Sequence, residues 1–255
     1  MSLSLISCNI RFDNPADGDN AWSHRRDFLC ETLLSHRPQI IATQEGRIHQ
    51  LRELENCIGM KLVDEHRSWI AERMYPSFFY DSSLFEYLGS GDSWLSETPD
   101  IAGSRSFDSA FPRLMTWLKI QPKNSTEKLF IANTHLDHIK AETRIQQIKV
   151  FATELKKLWK EDGKLIIMGD FNEGPEGAVR EELASHFKLA DAWKQFNQIE
   201  TSSHHAFNGE TQNGSRIDWI MVDPALDLVD CRMDKTSRNG KYPTDHFPIV
   251  CSLRV

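Results

Sequence analysis

The sequence is short of the features that announce a specialised class of protein. Cysteine is scarce: Cys8, Cys30, Cys57, Cys231 and Cys251 are odd in number and show no CxxC or other metal-like spacing. That pattern argues against a disulfide framework or a cysteine-bound metal, and reduced, buried thiols in a cytoplasmic protein are the expectation. No stretch approaches the roughly 18 apolar residues of a membrane span. The apolar run near the start is short, is broken by Ser2, Ser4 and Ser7, and follows no basic segment, so a signal sequence is not expected. Nor is there a basic excess. With 30 Lys and Arg against 37 Asp and Glu, the net charge is −7, so a polyanionic ligand must be held by a local patch or through a bound cation. Low-complexity linkers are also missing, and with 40% hydrophobic and 26% charged residues over 255 positions a single domain, 1–255, is expected.

What is present is a repeated grammar. Leu165-Ile166-Ile167-Met168-Gly169-Asp170-Phe171-Asn172 reads as a buried strand that ends on a glycine, a carboxylate and an amide. If the chain stays extended through Phe171, Asp170 and Asn172 leave the same face while Phe171 points into the core. Taken alone, such a tetrapeptide is more often just a turn. Its setting changes that. Leu3 to Cys8 reads as a strand running out at Asn9-Ile10-Arg11, and Trp22, Phe28, Leu29, Leu33 and Leu34 recur at helical spacing up to Pro38. Gln39 to Thr43 then forms a strand ending Gln44-Glu45-Gly46. Lys128 to Ala132 ends on Asn133-Thr134-His135-Leu136-Asp137-His138, and a helix over 142–160 leads into the Asp170 strand. Two strand-helix-strand units, each with polar residues beyond its strand ends, predict two similar halves packed so that Asn9, Glu45, His135 and Asp170 converge.

Elsewhere, helices are predicted at 48–60 and near 175–186. Strands are predicted at 77–80, at 92–99 running into a turn, at Arg113 to Ile120, at Ile217 to Val222 and at Pro248 to Leu253, with loops at 100–110 and 197–215. Many strands and at least three amphipathic helices imply packed sheets with helices outside.

The polar residues suit hydrolysis of a phosphate ester, which needs oxygen ligands for a hard cation, a group to orient water, and donors for charge developing on phosphorus. Glu45 offers a metal carboxylate, with the amide of Asn9 beside it; a solvated glutamate after a strand is the bland alternative. Asp218, alone among apolar neighbours, is placed to fix the tautomer of His246 in Thr244-Asp245-His246. An aspartate paired with Arg216 and a loop histidine packed on Pro248 are the structural alternatives. His135 and His138 invite a zinc reading, but Asn133 stands where the dinuclear zinc pattern HxHxDH needs its leading histidine. His204-His205 reads as a solvated pair. The basic stretch 232–241 reads as a loop rim or a phosphate-steering loop.

In this order, SCNIR, TQE, WLSETP, NTHLDH, GDFN, RIDWI and TDHFP resemble the endonuclease/exonuclease/phosphatase superfamily, in particular its small bacterial branch, which is similar to nocturnin-like deadenylases. The resemblance implies an α/β (α+β) fold, a four-layered sandwich of two mixed β-sheets flanked by helices. It implies Mg²⁺, or Mn²⁺ in its place, held by Glu45 with Asn9 and supported by Asp245. Asp170 would orient the attacking water, Asp218 would hold His246 toward the phosphate, and His135 and Asn172 would stabilise the transition state. Arg113, Arg11 and His138 are the substrate-binding candidates. The segment 61–72 departs from the glycine-rich form of the branch, although Glu72 keeps an acidic position. The expected partner is a phosphate ester, either a small molecule or a short single-stranded nucleic acid with aromatic help from Trp94 or Tyr242. No membrane and no obligate protein partner are expected. Two alternatives stay open: an inactive binding module with the same fold, and, within enzymes, nuclease against small-molecule phosphatase.

Overall fold

The period-2 burial of the strands explains the architecture of the computed structural model, which describes residues 2–196, 199–209 and 214–255. On β1 (Ser2–Asn9), Leu3 and Leu5 face one apolar cluster while Ile6 and Cys8 face another. On β8 (Lys164–Asp170), Ile166 and Met168 face the first cluster and Leu165 and Ile167 a third. A strand that is apolar on both faces must be covered on both. Two six-stranded sheets therefore pack face to face over the shared cluster, with helices on the outside.

The first sheet has the order β11 (Asp227–Met233), β12 (Ile249–Arg254), β1, β2 (Ile40–Gly46), β4 (Tyr75–Tyr80), β3 (Lys61–Leu62). Its outer face is covered by α1 (Trp22–Ser35) and α2 (Ile48–Ile58), through Leu29, Leu33, Leu51 and Leu54. The second has the order β5 (Phe85–Trp94), β6 (Leu114–Pro122), β7 (Leu129–His135), β8, β10 (Asp218–Val222), β9 (Ala190–Asp191). There α3 (Ala141–Trp159) and α4 (Ala178–His186) lie outside, through Phe151, Leu155, Val179 and Leu183. The parallel pairs β1/β2 and β7/β8 are the two predicted units, one in each sheet. No helix among the described residues is long and apolar enough to cross a membrane.

Two buried polar links tie the sheets together. Asn133 accepts from Gln44 Nε2 at 2.8 Å and donates to the carbonyls of Thr43 and Ser77 at 2.9 and 3.0 Å. Arg67, in the segment that departs from the family's usual form, is 8% exposed; it pairs with Asp92 at 2.8 Å and donates to Ser77 and Thr116. Burial disfavours the charge on Asp92, but Arg67 and His66 hold its carboxyl below the usual range. Glu72 in the same segment points to solvent and pairs with Arg47.

Some expectations shift. The strand expected at 92–99 lies earlier, at Phe85–Trp94, because it is glycine-rich rather than apolar. A Cβ on Gly91 would sit 2.6 Å from the Trp117 indole that lies over it. The edge strand β11 is not among the predicted strands, and its last two residues open the stretch read as a basic loop; its DLVDCRM sequence is mostly solvent-facing and carries no apolar run. The thiol expectation fails for one pair: Cys30 and Cys57, 27 residues apart, are joined where α1 and α2 pack with Cα atoms at 6.2 Å. Cys8, Cys231 and Cys251 are free and buried, as expected. The bond bears on compartment, since disulfides persist in oxidising surroundings. Trp94 is 5% exposed in the core and lies edge-on to Tyr75, and Tyr242 packs on His205 and Phe247, so neither is a free platform for nucleic acid.

Gly169, with φ at 149°, brings β8 against β7, and a Cβ there would meet the Thr134 carbonyl oxygen at 2.3 Å. Gly169→Ala is therefore expected to cost about 2 kcal/mol or more. Urea unfolding checks this, and an unchanged midpoint would contradict the close approach.

Candidate active site

All the predicted positions except Asp218 sit at or beyond the C-terminal ends of β1, β2, β7 and β8, or just before the strands that run antiparallel to them. At the end of β1, the Asn9 amide donates to Glu45 Oε1 at 3.2 Å and to Asp170 Oδ2 at 3.0 Å. One side chain thus joins carboxylates from both sheets. Its Oδ1 accepts from the Arg11 backbone N–H at 3.0 Å, so the Asn9 amide orients both carboxylates.

The loop after β1 is held by backbone contacts. Arg25, 3% exposed, donates to the carbonyls of Ile10, Arg11, Asn20 and Pro243. Gln50 donates to the Arg11 carbonyl and accepts from Asp13 N–H. Arg11 itself pairs with Asp17 at 2.9 Å, and its Nε lies 3.9 Å from Asp245. Glu45 receives Phe12 N–H at 3.1 Å and enters no ion pair among the described residues. It has φ at 66°, and Arg11 and Asn172 have φ at 52° and 51°. Three non-glycine residues in the left-handed region at one site store strain that surrounding contacts must hold.

Asp170 ends β8, in register with Asp218 of β10. The chain does not stay extended past it: Asn172 turns back, its N–H donates to Asp170 Oδ1 at 2.9 Å, and its side chain donates to the Leu136 carbonyl. Phe171 goes inward as expected and stacks on Trp219 at 4.2 Å. Burial and the charge of Asp218 raise Asp170 to about 7. His135 Nε2 is 3.4 Å from Asp170 Oδ2, and burial beside Arg113 lowers its pKa well below the ordinary value, leaving a neutral ring.

His246 precedes β12, and its Nδ1 lies 2.8 Å from Asp218 Oδ2. Its Nε2 faces the cleft, 3.8 Å from Asp170 Oδ2. Burial alone would lower its pKa, but the charge and hydrogen bond of Asp218 win and push it up to about 10. Asp218 is set from behind by Ser203, whose Oγ donates to Asp218 Oδ2 at 2.7 Å and accepts the N–H groups of Ile217 and Asp218. Nothing in the sequence pointed to Ser203.

The cleft has a volume of about 230 Å³ and is lined by these groups together with Arg113, His138, Phe111 and His204. Arg113 is 6% exposed, forms no ion pair among the described residues, and touches His138 at 3.4 Å; its Nε is buried without a partner. Asp137, next to His138, is consumed by N–H groups of Ala110, Ile139 and Lys140. Of the His204-His205 pair, read as solvated, only His204 is exposed. His205 is 4% exposed and stacks on Phe247 at 4.0 Å, while His204 lines the cleft, 4.0 Å from Asp245. In the basic stretch 232–241, Arg232, Arg238 and Lys241 are each paired with a carboxylate, which lessens their use as free phosphate-steering charges.

Two packed mixed sheets with carboxylates, amides and histidines gathered at their strand ends define the α/β-sandwich class of phosphoester hydrolases. Residues 6–246 match the Endonuclease/Exonuclease/phosphatase family, and the chain belongs to it. It is similar over 99% of its length, at 25% identity and a TM-score of 0.87, to an endonuclease/exonuclease/phosphatase family protein from Bacteroides thetaiotaomicron, 97% of which is covered. It is equally similar to the mannosyl-6-phosphatase of the same organism, covering 99% of this chain and 100% of that one at 25% identity and a TM-score of 0.87. The human nocturnin catalytic domain shares the fold, with 21% identity, a TM-score of 0.77, and 99% and 93% of the two chains covered. A search of curated proteins gives no match. The chain is accordingly a hydrolase acting on phosphoric ester bonds.

In the metal-free protein, His246 should titrate near 10 by NMR, and Asp218→Asn should bring its midpoint back toward the ordinary histidine range. Because the folded pKa is raised, His246 stabilises the fold fully below its unfolded value and loses that contribution as pH rises through about 10. A wild-type midpoint in the ordinary histidine range would contradict the Asp218 pairing.

Proposed function

We propose that the chain hydrolyses a small-molecule phosphomonoester by in-line attack of water, with Mg²⁺ or Mn²⁺ as cofactor. The observation that carries this reading is Asp170: a buried carboxylate raised to about 7, held between the Asn9 amide on one side and the His246 ring on the other.

The residues fit a hard divalent cation. Glu45 is an oxygen donor without a cationic partner among the described residues, and Asp245 lies on the same cleft. When bound, the cation would neutralise phosphoryl oxygens and lower the barrier to charge build-up. Glu45 would hold it, supported by Asp245, with Asn9 fixing the Glu45 carboxylate. Asp170, poised near neutral pH, orients a water molecule and takes its proton as the new O–P bond forms and the ester P–O bond opposite it breaks, the alcohol leaving with a proton from solvent. His246, kept cationic by Asp218, donates from Nε2 to a phosphoryl oxygen; His135 donates as a neutral ring, and Asn172 lies beside it. Arg113, a buried guanidinium with no carboxylate partner among the described residues, is suited to a non-bridging phosphate oxygen. Arg11 and His138 line the same cleft at its rim.

The modest cleft, the buried Trp94 and the likeness to a mannosyl-6-phosphatase favour a small-molecule ester over a nucleic acid strand. A panel of hexose phosphates, mononucleotides, bis-p-nitrophenyl phosphate and a short single-stranded oligonucleotide, each with Mg²⁺ or Mn²⁺, tests it. Turnover of monoesters is expected to dominate, and no turnover of any would reject the proposal, as an inactive binding module requires.

Mg²⁺ at a hundredfold its dissociation constant should stabilise the protein by about 2.7 kcal/mol. Glu45→Gln should abolish that gain in thermal melts, whereas an inactive scaffold would show no gain to lose. Asp170→Asn should cut kcat by about 10²–10⁴-fold. Because Asp170 is raised above its unfolded value, its ionisation weakens the metal-free fold as pH rises through about 7. Metal-free Asp170→Asn should thus be more stable than wild type at pH 8, with the difference closing toward pH 4 in urea titrations.

A further inference from the structure

The order of the second sheet puts different groups on the two flanks of Asp170. Arg113 and Phe111 precede β6 and His138 follows β7 on one side, while Ile217 and the strap carrying His204 lie on the β10 side. Each flank presents an accessible ring to the cleft. Phe111 is 42% exposed, lies nearly parallel to His138 with centroids at 5.9 Å, and has the Arg113 guanidinium 5.8 Å from its own ring centre. An aromatic ring left this open beside a buried polar site is an unfilled contact.

His204 is held by its backbone. Ser202 Oγ donates to its carbonyl at 2.7 Å, His205 N–H reaches the Asp245 carbonyl at 2.9 Å, and Phe247 N–H reaches the Ser203 carbonyl at 2.7 Å. The strap pairs His204 with His246 as an isolated bridge. Its ring, with the side chain 46% exposed, stands 4.8 Å from the His246 ring at 55°. A rigid backbone presenting a half-open ring next to the group that faces the phosphate is suited to recognition, since little freedom is lost when a ligand packs on it.

We infer that His204 and Phe111 are the specificity-determining pair of this site, selecting phosphate esters whose alcohol is a single ring-bearing unit, a monosaccharide or a nucleoside, over linear alcohols. The inference rests on the phosphomonoesterase reading and names its substrate class. A cleft of about 230 Å³ is smaller than the ~300 Å³ and upward of usual ligand pockets, a size that suits a phosphoryl group and one such unit. A sugar offers an apolar C–H face to either ring and a base offers its π-face, and both gain from contact with flat side chains.

The test compares glucose 6-phosphate, AMP and glycerol 3-phosphate with wild type, His204→Ala, Phe111→Ala and His204→Phe. His204→Ala should lower the preference for the favoured ring ester over glycerol 3-phosphate roughly tenfold, through KM with kcat little changed, and His204→Phe should restore most of it. Which ring ester suffers tells sugar from nucleoside. Calorimetry with Asp170→Asn measures the same preferences without turnover, so it decides even if the hydrolase reading fails. Equal binding of all three esters overturns the inference. So does a His204→Ala loss of kcat by the same factor on each, which would mark His204 as a positioning residue for Asp245 and His246.

Discussion

The Asn9 amide is the contact on which the site depends. Its two N–H bonds reach Glu45 in its own sheet and Asp170 in the other, so the distance between those carboxylates follows from how the sheets pack. Sheets face each other at about 10 Å, and the Asn133–Gln44 and Arg67–Asp92 links pin that separation near the strand ends. The core alone would tolerate small sliding; hydrogen bonds of fixed length do not.

Carboxylates crowded at one end of the sandwich repel, and the fold answers without quenching them. Arg25, fully committed to backbone carbonyls, secures the loop after β1 and leaves Glu45 without a cationic partner among the described residues. Asp218 is matched by His246, which in turn partly offsets Asp170. Arg113 enters no ion pair among the described residues in the cleft wall. The result is an arrangement with negative charge to spare for a cation and positive donors kept for an anion, maintained by strained backbone at Arg11, Glu45 and Asn172. Such sites trade stability for chemistry.

Much of this could be read in advance, for a definite reason. Buried strands are near-continuous apolar runs, so a polar residue directly after one is conspicuous, and Asn9, Glu45, His135 and Asp170 were visible that way. The remaining contributors sit in segments without an apolar signal. Ser203 and His204 lie in a polar stretch that local pattern reads as solvated, and only pairing with residues 245–247 turns it inward. The edge strand β11 and the glycine-rich β5 lacked the apolar signature for the same reason. Trp94 looked available because burial against residues from elsewhere in the chain, Tyr75 among them, leaves no local trace.

The sequence by itself determined the layers and the residue types at the strand ends, because side-chain periodicity and turn chemistry are properties of neighbours along the chain. It also carried the ordered motifs by which the family resembles itself. Only the tertiary structure decided which partner each group takes. Asn9 became a donor to two carboxylates, Cys30 found Cys57, the His204 strap paired with the segment carrying Asp245, and Arg113 was left without an ion pair among the described residues. Those outcomes depend on distances between segments tens to hundreds of residues apart, set by the packing of two sheets.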